Sequence, residues 1–206
     1  MKLKVCGLKH EHNIKDLIQL PIDYIGFIFY KKSPRFVEEN LSFDFVSSIP
    51  KYIKKTGVFV NESSSSISDH IAHYDLDMVQ LHGNESPELC AELKPYVKVM
   101  KAFQIQDGFY FKQLESYLTV VDYFLFDSAT ANYGGSGKLF NWQILKNYKY
   151  NIPFFLSGGI SEEHIEEIKQ LNIPQLVAID INSKFEIEPG LKNTEQVKQF
   201  ILKLNS

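Results

Sequence analysis

The chain has 206 residues, of which 44% are apolar, 23% charged and 14% aromatic, enough to bury a full core in one globular domain spanning 1–206 and too apolar for a disordered or collagen-like chain. A net charge of −3 argues against a nucleic-acid surface, and no run approaches the roughly 18 apolar residues of a membrane span. With no signal-peptide pattern and only two cysteines, Cys6 and Cys90, the expectation is a cytoplasmic protein with free thiols and no membrane or nucleic-acid partner.

In chain order, short β-branched and aromatic runs bounded by glycine or polar residues predict strands at 2–6, 23–29, 56–60, 77–81, 97–102, 122–127, 153–157 and 176–181. Amphipathic spacing predicts helices between and after them, at about 12–20, 38–48, 64–73, 86–94, 107–118, 141–148, 161–171 and 193–204. Ser86 before Pro87, and Ser161 before Glu162 and Glu163, read as helix starts. Strands this apolar suit a parallel sheet covered on both faces. Eight strand–helix pairs match a single (β/α)8 TIM barrel, an α/β fold at the compact end of its size range. The rival, an open doubly wound sheet, needs a glycine fingerprint after its first strand, and "CGLKHEH" is not one.

In such a barrel the chemistry lies at the C-terminal strand ends and the loops after them. The first strand ends at Cys6, either an apolar filler or a reagent. Arg35, after the second, is either a solvated cation or a planar fork for a carboxylate. In "QLHG" Gln80 suits a polar layer inside the barrel and His82 a loop-orienting role. Asp127 ends the sixth strand, as a cap or a proton donor. "YGGSGK" (133–138) fails as a P-loop, with Asn132 and Leu139 where glycine and Ser or Thr are needed. It reads as a glycine-rich lid, with Gly135 against substrate and Lys138 near an anion, or as a surface loop without a role. Gly158 and Gly159 precede a helix, where exposed backbone N–H groups receive a phosphate. Asn182 and Ser183 fall on the other side of that site, and Asp180 beside it either holds sugar hydroxyls or caps a loop. Cys6 and Asp127 together suggest aldose-to-ketose proton shuffling on a phosphorylated sugar.

The ordered motifs "KVCG", "GFIFYKKSPR", "GVFVN", "VQLHG", "FDSATANYGGSGKLFNW", "LSGGI" and "PGLKN" resemble the phosphoribosylanthranilate isomerase family across nearly the whole chain. The resemblance implies a (β/α)8 barrel of tryptophan biosynthesis that needs no metal or organic cofactor, acts on a small phosphorylated substrate, and works as a monomer or weak homodimer. It implies Cys6 as general base, Asp127 as general acid, Arg35 at the anthranilate carboxylate, and Gly158 and Gly159 in the phosphate loop. One departure stands out, since the family usually reads Ser-Ser-Gly where this chain has Asn182-Ser183-Lys184. Two other readings compete. A phosphosugar isomerase of histidine biosynthesis would show two repeated half-barrels and paired aspartates, and a catalytically silent barrel would not need both Cys6 and Asp127.

Overall fold

The computed structural model describes residues 1–37, 40–128 and 142–206. Eight parallel strands close into a barrel in sequence order: β1 (Lys2–Val5), β2 (Tyr24–Ile28), β3 (Lys54–Phe59), β4 (Met78–Leu81), β5 (Lys98–Ile105), β6 (Tyr123–Ser128), β7 (Phe154–Ser157) and β8 (Leu176–Ile181). Closure is made by β1 against β8, where Lys4 is in register with Asp180. The helices are α1 (Glu11–Leu17), α2 (Phe43–Ser48), α3 (Ser64–Tyr74), α4 (Pro87–Leu93), α5 (Ile165–Leu171) and α6 (Thr194–Asn205).

Each expected strand is present. Two expected helices differ, because 111–117 and 142–147 are 3-10 turns rather than α-helices. The first is bent into place by Gly108 at φ 82° and by Phe109 and Phe111, which pack edge-on toward Phe126 of β6. Aromatic packing against the strand sets that segment's path, and helical spacing does not. The sequence reading also missed a hairpin of β9 (Glu186–Glu188) and β10 (Leu191–Lys192). Helix starts follow local chemistry. Ser86 accepts from Leu89 N with Pro87 in the first turn, and Ser161 donates its backbone N–H to His164 Nδ1 ahead of a 3-10 turn that leads into α5.

At the N-terminal mouth of the barrel, an aspartate just before each of β2, β4 and β6 grips the strand behind it. Asp23, Asp77 and Asp122 accept from the backbone N–H of Leu3, Lys55 and Val99, each at 2.9 Å. These bonds serve strand ends that the ladder leaves unpaired, and conserve the register on which the opposite mouth depends.

Side chains alternate in and out along every strand. The outward apolar set joins the helices in one large core, while Tyr24, Met78, Met100, Leu125, Phe155 and Ala178 form a second cluster inside the barrel. Above that cluster lies a polar layer in which Lys4, Gln80 and Asp180 are all buried. The next inward positions, Cys6, His82, Asp127 and Asn182, reach a cavity. Among the described residues no helix is long and apolar enough to cross a membrane.

Candidate active site

The cavity, about 260 Å³, opens at the C-terminal ends of the strands. Cys6, Asp127, Gly158, Gly159, Asp180, Asn182 and Ser183 all line it, so these residues singled out in the sequence meet at one place. Gly135 and Lys138 lie outside the described residues. Gln80, His82, Gln104 and Ser157 complete the polar wall, with Ile28, Val58 and Ile160 as apolar contacts.

Cys6 is held by its backbone N–H on Ile181 O (2.9 Å), and its side chain is almost fully buried. Gly26 of β2 makes room for the sulfur, since a Cβ at position 26 would lie 2.7 Å from Cys6 Sγ. Two residues back on the same face, Lys4 is fully buried, donating to Asp180 Oδ2 (2.7 Å) and Gln80 Oε1 (2.9 Å). Burial, the largest influence, works to lower the Lys4 pKa, but Asp180 and Cys6 outweigh it and hold the ammonium above its ordinary value. Burial pushes the Cys6 thiol up, with Lys4 the main opposing influence. The counter-charge that opposes burial at this thiol is a lysine inside the barrel. Asp180 is also pushed up by burial, and its Oδ1 has no hydrogen-bond partner among the described residues.

From Gln80 the network crosses to the other side of the cavity. Gln80 Nε2 lies 2.9 Å from His82 Nδ1, and His82 Nε2 lies 3.3 Å from Asp127 Oδ2. His82 therefore faces Asp127 directly, a contact that the loop-orienting reading of "QLHG" did not contain.

On the β7–β8 side, Gly158 and Gly159 adopt φ of 97° and 64°, a left-handed pair that side chains rarely allow. They turn the backbone into the cavity opposite Asn182, Ser183 and Lys184. Residues 183–185 form a 3-10 turn, and Lys184 is exposed and lines the cavity.

Arg35 is placed differently from the rest. Two of its three guanidinium nitrogens are engaged by Glu186, with Nε 2.9 Å from Oε1 and Nη2 2.6 Å from Oε2. Glu186 also accepts from Lys192 Nζ (2.6 Å) and Gly190 N (3.0 Å), and Lys192 reaches on to Asn182 Oδ1 (2.6 Å). Burial alone would raise the Glu186 carboxyl, but the hydrogen bonds from Arg35 and Lys192 hold it down to about 2. Burial lowers the Lys192 ammonium, with Glu186 opposing. Lys4, Glu186 and Lys192 were not candidates in the sequence. For Lys4 there was a signal, because alternation places it on the face of Cys6. Glu186 and Lys192 sit in strands too short to show a period.

Among the described residues no three His, Cys, Asp or Glu side chains converge as a metal site would. The polar wall instead offers one thiol, one carboxyl near an imidazole, a backbone anion cradle and buried cations at its back. Such a set can move a proton off carbon and another onto oxygen in a molecule with anionic ends.

Comparison with known proteins identifies the family. The sequence model of N-(5'-phosphoribosyl)anthranilate (PRA) isomerase matches residues 3–203. The chain is 47% identical to the N-(5'-phosphoribosyl)anthranilate isomerase of Parabacteroides distasonis, over 98% of this chain and 92% of that one. It is 40% identical to the enzyme of the same name from Phocaeicola vulgatus, over 99% and 98%. The phosphoribosyl anthranilate isomerase of Thermotoga maritima superposes with a TM-score of 0.86 at 30% identity, over 100% of this chain and 98% of the other. Another structure of such an isomerase, in complex with reduced 1-(o-carboxyphenylamino)-1-deoxyribulose 5-phosphate, matches with a TM-score of 0.84 at 26% identity, over the same shares.

Proposed function

The chain belongs to the N-(5'-phosphoribosyl)anthranilate isomerase family, and on that premise we propose that Cys6 and Asp127 divide the proton transfers of its reaction between them. The enzyme is an isomerase of tryptophan biosynthesis. Its reaction turns N-(5-phosphoribosyl)anthranilate into 1-(2-carboxyphenylamino)-1-deoxyribulose 5-phosphate, an Amadori aldose-to-ketose isomerisation. The observation that carries the proposal is that the two residues, 121 positions apart in sequence, end on the same cavity wall as the glycine pair.

Protonated Asp127 donates to the furanose ring oxygen, and the ring opens as the anilino nitrogen forms a Schiff base. Cys6, as thiolate, takes the proton from the sugar C2, and the enolamine that results tautomerises to the ketone. Burial alone disfavours a thiolate at Cys6. Lys4 opposes that effect permanently, and the cationic Schiff base opposes it at the moment the base is needed.

The phosphate is received by the backbone at Gly158, Gly159, Asn182 and Ser183, with the Lys184 ammonium at the rim. Asp180, whose Oδ1 has no hydrogen-bond partner among the described residues, is the group for the sugar hydroxyls. Arg35 meets the anthranilate carboxylate, sharing its fork with Glu186. Gly135, outside the described residues, is kept as a proposed substrate contact. The bound product analogue in the related isomerase supports a phosphorylated ligand in a barrel of this shape.

A fluorescence assay following freshly made phosphoribosylanthranilate tests the reading. Cys6→Ala and Asp127→Asn should each lower kcat by about a hundredfold or more, with little change in KM. If Cys6→Ala keeps near wild-type turnover but melts earlier, the thiol is only packing.

A further inference from the structure

The chain of hydrogen bonds beginning at Lys4 has a direction, and that direction decides where one proton sits. An ammonium only donates, so the Gln80 atom 2.9 Å from Lys4 Nζ is the carbonyl oxygen Oε1. The amide nitrogen of Gln80 then faces His82 Nδ1 at 2.9 Å. An amide NH2 likewise only donates, so Nδ1 has to accept. A neutral imidazole that accepts at Nδ1 carries its proton on Nε2. That N–H points at Asp127 Oδ2, 3.3 Å away.

We infer that Lys4, acting through Gln80, fixes His82 as the Nε2–H tautomer, and that His82 is a positioning residue for the Asp127 carboxyl. The inference deepens the assignment of Asp127 as proton donor and rests on it. With Oδ2 accepting from His82, the proton to be delivered sits on the other oxygen, Oδ1, turned toward the cavity. When it leaves, charge develops on a carboxylate whose donor is already in place, and nothing has to reorganise.

Other arrangements cost more. Moving the ring proton to Nδ1 sets it against the Gln80 NH2, and turning the amide to relieve this sets NH2 against the buried Lys4 ammonium. The chain carries orientation and not protons, because an amide is neither an acid nor a base in the range where enzymes work. The charged groups around the ring are Asp127 from β6, Asp180 from β8, Lys4 behind Gln80 from β1, and Lys101 from β5 at the adjoining rim. Of these, Asp127 alone is within hydrogen-bond distance of the ring among the described residues.

Nitrogen-15 NMR of the intact wild-type protein is the first readout, with the His82 ring assigned by its loss in His82→Gln. The expected result at about pH 7.5 is a ring protonated at Nε2 and accepting at Nδ1. In Gln80→Glu an acceptor replaces the donor, and the same spectrum should show the proton moved to Nδ1 or a second one added. Turnover is the second readout. His82→Leu should lose about tenfold or more in kcat, the effect of removing a hydrogen bond to a charged group, with KM within about twofold and an altered kcat–pH profile. His82→Gln, which keeps an N–H donor at that reach, should recover most of the loss. A wild-type ring protonated at Nδ1 or at both nitrogens overturns the inference, as does a His82→Leu enzyme with wild-type kcat and pH profile. Wild-type turnover by Asp127→Asn overturns the donor assignment and with it the role of His82, while the tautomer seen by NMR stands independently of that result.

Discussion

Gly26→Ala asks whether the room beside the Cys6 sulfur matters to the reaction. The new Cβ would lie 2.7 Å from Sγ, 3.1 Å from the Cys6 Cα and 3.3 Å from its Cβ, where ordinary contact begins at 3.4 Å. The sulfur must therefore withdraw by about 0.7 Å, because the barrel backbone around it is held in the β1–β2 and β1–β8 ladders. A shift approaching 1 Å in a reacting group costs about a hundredfold, so kcat should fall by about ten- to a hundredfold. Overpacking of this kind costs about 1 to 3 kcal/mol, and the stiffer unfolded chain of alanine returns about 0.4 to 1 of it. The net expectation is a loss of about 1 to 2 kcal/mol in urea unfolding. In a Cys6→Ala background the sulfur is gone and most of that destabilisation should disappear, a coupling that a double-mutant cycle measures directly. A Gly26→Ala enzyme with kcat within about threefold of wild type and no coupling to Cys6 would refute the argument.

Three further outcomes are expected. Lys184→Ala should raise KM by about three- to tenfold with kcat unchanged, and weaken inhibition by inorganic phosphate in parallel; an unaltered phosphate inhibition constant counts against Lys184 at the phosphate. Glu186, held down to about 2 in the fold against an ordinary 4.5, contributes stability that is present above pH 4.5 and lost as pH falls toward 2. The stability gap between wild type and Glu186→Gln should thus be full at neutral pH and close across that window, and unfolding curves that stay equally spaced down to low pH would show the ion cluster to be inert. Cys6→Ser should be nearly as inactive as Cys6→Ala, since a hydroxyl is too weak an acid to supply the base; substantial turnover by the serine enzyme would remove the thiolate from the mechanism.

The barrel was legible because each buried strand is written as a short apolar run between polar turns, and eight runs alternating with helical spacing admit few architectures. What escaped was written on a smaller scale. The β9–β10 hairpin has strands of three and two residues, too short for any period, yet it presents Glu186 to Arg35. The site residues at strand ends were found by their place, and Cys6, Asp127, Asp180 and the glycine pair do share one cavity. Arg35 was read as either a solvated cation or a planar fork for a carboxylate, and two of its nitrogens face a carboxylate of the same chain. That partner stands 151 residues further on, and only the closed barrel brings it near. Lys4 went unnoticed for a different reason. A lysine in a strand reads as a solvated side chain, and its burial depends on Asp180 and Gln80 arriving from two other strands.

The pairing of β1 with β8 also has a consequence for how the chain is made. Lys4 and its carboxylate partner are 176 positions apart, so a ribosome delivers the lysine long before Asp180 exists. Until the eighth strand emerges, the ammonium has to keep water as its partner, since burying it alone is prohibitively costly. The growing sheet consequently stays open along the edge of β1 until β8 is made, and Cys6, at the end of the barrel's first strand, is among the last of its side chains to be enclosed. An oxidant or electrophile meets that sulfur most easily on a nascent chain, and completion of the barrel is what takes it out of reach.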